Sequence, residues 1–308
     1  MKSNLFELSF VHLDDLIFHE TCDFNLVYRL ADQIKRDGHL KNPVLVASFP
    51  EKNKPAGLSS EESGKFLVLD GVNRISALRL LGLPDVLVQK VDFMDENVEL
   101  TSWNHLIFNL KKDQLIEKLK KLDLEICSCG QECQSAVGGL VLSEVEGRRT
   151  CPERSRRTAD EKTVCFVLFK DHSGLVLSQR DSSVESRVKN LYRVIAIYNT
   201  SWEIYHSGSD ESLFSVFDNF GKSSAINIFP VFKKEQVSDL ARRGALFPFG
   251  VTRFVIPQRI LGLEVSCSVL GDNAPLSEKN LFLKELLSYR IKSKKAKFYQ
   301  ESVFLFNE

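Results

Sequence analysis

The stretch from Lys65 to Phe93, KFLVLDGVNRISALRLLGLPDVLVQKVDF, contains a predicted strand, turn, helix and second strand in direct succession. Phe66 to Leu69 is a short, unbroken apolar run, which is typical of a buried strand. Asp70 and Gly71 interrupt it, and glycine adopts backbone angles that other residues avoid in tight turns. From Ile75 onwards, apolar residues recur at helical spacing. The pattern predicts a buried strand that turns directly into the N-terminus of a helix.

The start of this predicted helix is a candidate phosphate site. A helix N-terminus carries roughly half a positive charge and several unpaired N–H groups, and both favour an anion. Arg74 lies in the first turn, and its forked guanidinium suits phosphate oxygens. The residues alone leave a simpler alternative open, in which Asp70 or Asn73 caps the helix and Arg74 is a surface charge.

Composition limits the classes of protein to consider. The chain has 308 residues, of which 43% are hydrophobic, so it can bury a sizeable core and is expected to form two domains. Lys plus Arg equal Asp plus Glu in number, so no overall field draws the chain to nucleic acid or to an acidic membrane. The sequence shows neither a membrane span nor a signal-peptide pattern. Seven cysteines at irregular spacing do not indicate disulfides, and a cytoplasmic location is predicted.

The segment from Cys127 to Glu161 differs in character from the rest of the chain. It contains four cysteines, which are candidate zinc ligands, but their spacing lacks the CxxC pattern of zinc knuckles. Residues Leu142 to Arg157 resemble a translated interspersed DNA repeat. Charged and small residues with little hydrophobic period predict a disordered or loosely held surface insert.

The residues after Lys162 predict a second unit of mixed helices and strands. Apolar runs at Val164 to Phe169 and Leu175 to Leu177 are typical of a hairpin. The other elements predicted in this unit are strands at Tyr192 to Tyr198 and Ala225 to Phe232, and helices at Glu211 to Phe217, Lys234 to Arg243 and Ser277 to Leu287.

Two further segments of the sequence contain candidate catalytic or ligand-binding side chains. Leu246 to Leu261, LFPFGVTRFVIPQRIL, contains Thr252, which supplies a hydroxyl, and Arg253, which supplies a fork for a carboxylate or phosphate. Glu20 stands just before a predicted helix near the N-terminus. By itself it is better explained as a solvated carboxylate that favours the helix dipole.

Several motifs together resemble a known family. Leu69 to Ala77, LDGVNRISA, resembles the DGxHR signature of the ParB/sulfiredoxin fold. His19-Glu20, Arg29-Leu30, Asp37-Gly38 and Pro43 follow the order of motifs found in free L-serine kinases of that fold, and the Thr252-Arg253 element is similar to their TRH element. The resemblance implies an α+β fold. It would comprise a ParB/sulfiredoxin-like nucleotide-binding domain at 1–110, a linking helix at 111–126, the insert at 127–161 and a mixed α+β substrate-side domain with a helical tail at 162–308.

The resemblance also implies an activity and a set of site residues. The family phosphorylates free L-serine to O-phospho-L-serine with ATP or ADP as donor and Mg²⁺ as cofactor. Glu20 matches the general base that takes the proton of the serine hydroxyl. Asp70, Gly71, Asn73 and Arg74 match the residues that hold the nucleotide phosphates, with Asp70 as a candidate Mg²⁺ ligand, and Trp103, Thr252 and Arg253 match the residues that bind serine.

Two departures from the family pattern motivate an alternative. The histidine of DGxHR is Asn73 here, and the histidine of TRH is Phe254. Loss of two imidazoles removes possible hydrogen-bond donors to phosphate, so the alternative is a ParB-like regulator that binds DNA or senses a ligand and has weak or lost kinase activity. Val72 stands where sulfiredoxins carry their catalytic cysteine, which excludes that chemistry. A relation to nucleases rests only on a shared fold name.

Overall fold

The computed structural model describes residues 7–48, 64–129, 161–171, 173–199, 204–208, 217, 220 and 222–298. The strands are β1 (Glu7–His12), β2 (Leu16–Ile17), β3 (His39–Leu40), β4 (Val44–Ser48), β5 (Phe66–Asp70), β6 (Asp85–Val91), β7 (Glu99–Ser102), β8 (Asn104–Phe108), β9 (Glu125–Cys129), β10 (Thr163–Phe169), β11 (Gly174–Ser178), β12 (Ile204–Ser207), β13 (Ser223–Ile228), β14 (Thr252–Val255) and β15 (Val265–Ser266). The helices are α1 (Phe24–Asp37), α2 (Val72–Leu80), α3 (Lys112–Leu119), α4 (Val184–Tyr198), α5 (Lys234–Arg242), α6 (Cys267–Gly271) and α7 (Leu276–Lys292).

The first sheet has five strands in the order β1-β6-β4-β5-β2 and mixes parallel with antiparallel pairs. Its central strands are buried on both faces, as expected for continuous apolar runs. Asp23 is the N-cap of helix α1, and its carboxylate accepts hydrogen bonds from the N–H groups of Asn25 and Leu26. Helix α1 packs on α2, and their buried faces belong to one apolar cluster with this sheet.

The second sheet has six strands in the order β12-β8-β13-β10-β11-β9, and all its pairs are antiparallel. A large apolar cluster covers one of its faces and includes residues of α3, α4 and α5. The same cluster contains Leu45, Leu67 and Leu69 from the first sheet. The two sheets therefore share one continuous core, which fixes the position of each against the other.

Each predicted domain contributes a segment to the other. The boundaries of the two domains stay a prediction. Strand β8 comes from the first 110 residues but lies inside the second sheet, between β12 and β13. The C-terminal segment returns the other way, since β15 pairs with β3 and Leu270 and Leu283 lie in the core of the first sheet. Both segments bring residues from distant parts of the sequence to the junction between the sheets.

The mixed α+β architecture is confirmed, and two local predictions are wrong. Tyr192 to Tyr198 forms the end of helix α4, because Ser183 caps the helix and Val188, Leu191 and Ile195 form a buried stripe at helical spacing. Cys127 to Cys129, which the sequence predicts as part of the insert, forms the end of β9 and pairs with β11. Residues 130–160 of the insert, and all of the predicted helix Glu211 to Phe217 except its last residue, lie outside the described residues.

In the part of the chain that the structure describes, none of the helices is both long enough and apolar enough to cross a bilayer.

Candidate active site

The segment that carries Glu20 is joined by backbone hydrogen bonds to the segment that precedes β14. The N–H of Thr21 donates to the carbonyl of Phe247 at 2.8 Å, and the N–H of Phe247 donates to the carbonyl of His19 at 2.8 Å. The hydroxyl of Thr21 accepts from the N–H of Phe249 at 3.1 Å. These bonds hold Glu20 beside the Thr252-Arg253 element, although more than 200 residues separate them in the sequence.

A second pairing brings Trp103 to the same place. Strand β14 pairs with β7 so that Thr252 lies opposite Ser102 and Arg253 opposite Thr101. The N–H of Trp103 continues this pairing by donating to the carbonyl of Val251 at 3.1 Å. The guanidinium of Arg253 lies 4.6 Å from the centre of a Trp103 ring, which is within the range of a cation–π contact.

All eight residues predicted from the sequence line one cleft of about 600 Å³. The cleft lies where the turn after β5, the start of α1 and strand β14 meet. It therefore brings together the predicted base, the predicted phosphate site and the predicted serine site. Sequence reasoning did not assign His206, Phe249 and Arg259 to the site, although they also line this cleft.

Gly71 forms the floor of the cleft at the start of α2. Its φ of 108° lies in the left-handed region, and an added Cβ would lie 3.0 Å from Arg74 and 3.1 Å from Val44. Only glycine fits this turn without strain. The capping prediction is wrong, because Gly71 itself is the N-cap and the helix start has no side-chain cap.

Two arginines hold the carboxylate of Asp70. Arg74 donates to Asp70 at 2.7 Å and also to the carbonyls of Asn42 and Pro43, at 3.0 and 2.7 Å. Arg259 donates to the same carboxylate oxygen. Burial opposes ionisation, but the two guanidinium groups hold the pKa of Asp70 below its usual value. The floor of the cleft therefore has two fixed cations around one anion, an arrangement that suits phosphate oxygens.

Asn73 joins the starts of the two helices. Its side-chain oxygen accepts from the N–H of Asp23, the N-cap of α1, at 2.9 Å. The other end of this amide is an NH2 group, which can donate in turn. Asn73 lines the cleft and is 8% exposed, so a donor is available close to the floor.

Glu20 is a buried carboxyl group with an altered proton affinity. Burial is the main cause and repulsion from Asp70 the second cause that together raise the pKa of Glu20 to about 8. Hydrogen bonds to the ionised carboxylate oppose part of this shift: one from the Thr252 hydroxyl when it points at Glu20, and one from the Gly250 N–H. A carboxyl group that titrates near neutral pH in a cleft is the usual property of a general base or acid.

Gly250 is held between two histidines. Nε2 of His105 donates to the Gly250 carbonyl at 2.8 Å, while Nδ1 accepts from the Tyr198 hydroxyl at 3.0 Å. Burial lowers the pKa of His105 to about 3, so the ring is neutral and this pattern is fixed. His105 thus positions Gly250, whose own N–H reaches Glu20.

We expect Gly250→Ala to impair both folding and activity. An added Cβ would lie 2.2 Å from Nε2 of His206, at a backbone φ of 75° that other residues rarely adopt. The strain costs on the order of 1–3 kcal/mol, and relief requires moving the N–H away from Glu20. Thermal unfolding and steady-state kinetics would measure the two effects. Gly244→Ala is a matched control, because Gly244 also has a positive φ of 70° but has no atom within 4 Å of the added Cβ.

The described residues do not build a magnesium site of their own. No group of three or more His, Cys, Asp or Glu side chains among them is arranged to hold a metal ion. Asp70, the predicted ligand, is paired with Arg74 and Arg259. Guanidinium groups on the same carboxylate compete with a cation, so the donor set does not fit a resident Mg²⁺.

Comparison of the sequence with known proteins finds no matching family model, but it finds curated relatives. The chain is 22% identical over 247 residues to an ATP-dependent L-serine kinase of Staphylothermus marinus, with 80% of this chain and 84% of the relative covered. It is 19% identical to the ATP-dependent L-serine kinase SbnI of Staphylococcus aureus, with 97% and 96% covered. It is 21% identical to the ADP-dependent L-serine kinase SerK of Thermococcus kodakarensis, with 80% and 86% covered.

Solved structures with the same fold agree with these relatives. Truncated SbnI of Staphylococcus aureus aligns with a TM-score of 0.61 and 18% identity over 92% of this chain and 97% of that one. A free serine kinase in complex with AMP aligns with a TM-score of 0.58 and 17% identity over 85% and 91%. Likeness at this level of identity establishes a common fold, which spans both sheets and the cleft between them.

Proposed function

We propose that this chain, which belongs to the family of free L-serine kinases that includes SbnI and SerK, transfers a phosphoryl group from ATP or ADP to the hydroxyl of free L-serine. The product is O-phospho-L-serine. The observation that carries the proposal is the meeting of a buried carboxyl group, Glu20, with the paired arginines Arg74 and Arg259 in one cleft. Phosphoryl transfer needs little more from a protein than positioning, charge neutralisation and a proton acceptor.

Glu20 acts as the proton acceptor in this proposal. The serine hydroxyl gives its proton to the Glu20 carboxylate as its oxygen bonds to the terminal phosphorus of the donor. The bond from that phosphorus to the bridging oxygen breaks, and the nucleotide leaves with one phosphate fewer. The raised pKa of Glu20, about 8, makes it a stronger base than an ordinary carboxylate once it is ionised.

The floor of the cleft binds the nucleotide phosphates. The N–H groups at the start of α2, after Gly71, favour an anion. Arg74 is fixed by three acceptors, so its guanidinium keeps one orientation when a phosphate arrives. Arg259 reaches the same place from the C-terminal segment. Asp70 holds both forks in position, and the Asn73 amide supplies a further donor.

The family pattern has two histidines, and this chain has Asn73 and Phe254 in their places. The Asn73 amide can replace the hydrogen bond of an imidazole, although it cannot carry a positive charge. Phe254 packs its ring edge-on against His19, with centres 5.5 Å apart, and so has an apolar role. We therefore assign charge neutralisation at the phosphates to Arg74 and Arg259. Mg²⁺, which the resemblance implies, would be supplied together with the nucleotide.

The amino acid binds at the other end of the cleft, beside Trp103. Arg253 stacks on Trp103 with its planar fork, which suits the carboxylate of serine. We expect Arg253→Gln to raise KM for serine by about 10- to 100-fold, because a charged hydrogen bond contributes about 1.5–3 kcal/mol. Isothermal titration with ADP should show little change in nucleotide affinity. Arg180→Gln is the control, since the Arg180 side chain is 78% exposed and forms a surface ion pair with Asp123.

The direct test is product formation. Purified protein is incubated with L-serine, Mg²⁺ and either ATP or ADP, and O-phosphoserine is measured by mass spectrometry. Product with one donor supports the proposal and also identifies the donor. No product with either donor, under conditions in which a relative such as SerK turns over, would rule out the kinase. Parallel reactions with L-threonine and L-homoserine test the choice of amino acid.

The alternative, a ParB-like regulator that binds DNA, has less support. The curated relatives that cover most of the chain are named kinases. The formal net charge is zero, so duplex binding would need a local basic surface. The proposal places the enzyme in the cytoplasm, where adenine nucleotides and free serine are present together.

A further inference from the structure

Four groups form a continuous line of hydrogen bonds behind the base. Nδ1 of His19 lies 2.6 Å from the Val68 carbonyl, and Nε2 lies 2.8 Å from the hydroxyl oxygen of Thr252. The same hydroxyl oxygen lies 3.3 Å from Oε2 of Glu20. His19, Thr252 and Glu20 are 1%, 6% and 8% exposed, so these side chains depend mainly on protein groups for their hydrogen bonds.

The number of hydrogens in this line is limited. A carbonyl oxygen can only accept, so Nδ1 of His19 carries a hydrogen. Burial lowers the pKa of His19 to about 4, so the ring is neutral and Nε2 is an acceptor. Thr252 has one hydroxyl hydrogen and two neighbours that can accept it, Nε2 of His19 and the carboxylate of Glu20. The shorter of the two distances is the one to His19.

We propose that His19 is a positioning residue which takes the only hydrogen of Thr252 and so controls how tightly Glu20 holds its proton. The proposal deepens the proposed function, because it rests on Glu20 as the base. With the hydrogen directed at His19, the Thr252 oxygen can accept from a protonated Glu20 but cannot donate to an ionised one. The line of bonds is complete only while Glu20 is protonated.

This arrangement has a consequence for the reaction. An ionised Glu20 has lost the hydrogen that it gave to Thr252 and gains none in return, so one oxygen keeps an unsatisfied acceptor position. An unsatisfied buried acceptor is costly. The serine hydroxyl is a donor that can fill the position and then transfer its proton. His19 thus makes Glu20 a stronger base without touching the substrate.

Other charged, polar and aromatic groups also face this line of hydrogen bonds, and the substitutions in the test leave them in place. Asp70 repels the charge of Glu20 and itself lies between Arg74 and Arg259. The Gly250 N–H donates to Glu20, and the Tyr192 phenol on α4 is also close enough to interact with it. On the other side, the Phe254 ring packs edge-on against His19.

The test compares His19→Asn with His19→Gln. The amide of Asn lies near the place of Nδ1 and keeps the bond to the Val68 carbonyl, but it removes the acceptor for Thr252. The amide of Gln reaches the place of Nε2, where its oxygen accepts from Thr252. We expect the Asn variant to titrate Glu20 about one pH unit lower than the unmodified protein, from the gain of one hydrogen bond to a carboxylate. The Gln variant should stay close to the unmodified protein.

The measurement is a ¹³C NMR titration of glutamate carboxyl groups in the nucleotide-free protein. The Glu20 signal is identified by its absence in Glu20→Gln. The result does not depend on turnover, so a protein that makes no O-phosphoserine can still support or overturn the inference. Thermal unfolding of each variant checks that the fold is intact.

Substitution of Thr252 supplies a second test. The direction of the resulting change in the pKa of Glu20 shows whether the hydroxyl accepts from Glu20 or donates to it. If the hydroxyl accepts from protonated Glu20, Thr252→Val removes that acceptor and lowers the pKa of Glu20, whereas Thr252→Ser leaves it in place. If the hydroxyl donates to the ionised carboxylate instead, Thr252→Val raises the pKa. A rise in Thr252→Val, or equal titration of Glu20 in His19→Asn and the unmodified protein, would overturn the proposal. If His19→Asn lowers the pKa of Glu20 by the same amount in the Thr252→Val background, relative to Thr252→Val alone, the effect does not pass through the Thr252 hydroxyl and the proposal is overturned as well.

Discussion

Replacing Glu20 by Gln is expected to lower kcat by about 10²- to 10⁴-fold, the usual contribution of a general base. Gln has the size of Glu and can still bond to Gly250 and Thr252, but it cannot take a proton from serine. Affinity for ADP should stay within a few-fold of that of the unmodified protein, because the phosphates bind at the arginines. Single-turnover kinetics and titration with ADP would separate the two effects. Glu285→Gln, on the exposed side of α7, is the control.

The pH dependence of the unmodified enzyme follows from the same carboxyl group. Glu20 must be ionised to accept a proton, and burial raises its pKa to about 8. We expect kcat/KM to rise with pH and to level off above about pH 8, since this ratio reports groups of the free enzyme. A profile that is flat between pH 6 and 9 would contradict the assignment of Glu20 as the base.

The contribution of Glu20 to stability should change with pH in the opposite direction to activity, falling as pH rises. The folded-state pKa, about 8, lies above the ordinary value of 4.5, so the folded protein binds the proton more tightly than the unfolded chain does. This contribution to stability is fully present below pH 4.5 and is lost as pH rises to about 8. Glu20→Gln stays neutral throughout. Its Tm should therefore exceed that of the unmodified protein above pH 8 and match it in acid, as differential scanning calorimetry would show.

The sequence predicted much of the cleft because its residues stand in ordered, local motifs. The turn at Gly71 and the start of α2 follow from a strand, a glycine and a helical period within about fifteen residues. Glu20, Trp103 and Arg253 were linked to that turn only by resemblance to a family. Pattern analysis by itself favours a structural explanation for each of them, since it does not reveal that β14 pairs with β7.

Other features were not accessible from local patterns. Tyr192 to Tyr198 is rich in β-branched and aromatic residues and was predicted as a strand, but the cap at Ser183 and packing of the stripe on the core favour a helix. His206 enters the cleft because β12 pairs with β8, with His206 opposite His105. Such pairing between distant strands leaves no period or spacing in the sequence.

Replacing Asp85 by Ala is expected to lower the free energy of unfolding by about 3–5 kcal/mol, because it leaves a buried charge without its partner. Nζ of Lys279 lies 2.6 Å from Asp85, and both side chains are 3% exposed. His12 shares the same carboxylate at 2.6 Å. Lys279 belongs to α7, so this pair fastens the C-terminal helix to β6 of the first sheet. Chemical denaturation would measure the loss.

The double variant Asp85→Leu with Lys279→Met separates the cost of an unpaired charge from the value of the pair. Apolar residues of similar size often replace a buried ion pair without loss of stability, so this variant should regain most of what Asp85→Ala loses. Its kcat and ADP affinity should equal those of the unmodified protein. Gln89 on β6 independently holds the backbone around Arg259, donating to the Gln258 carbonyl at 2.8 Å and accepting from the Ile260 N–H at 3.1 Å. A double variant that folds but binds ADP weakly would show instead that α7, and not Gln89, positions Arg259.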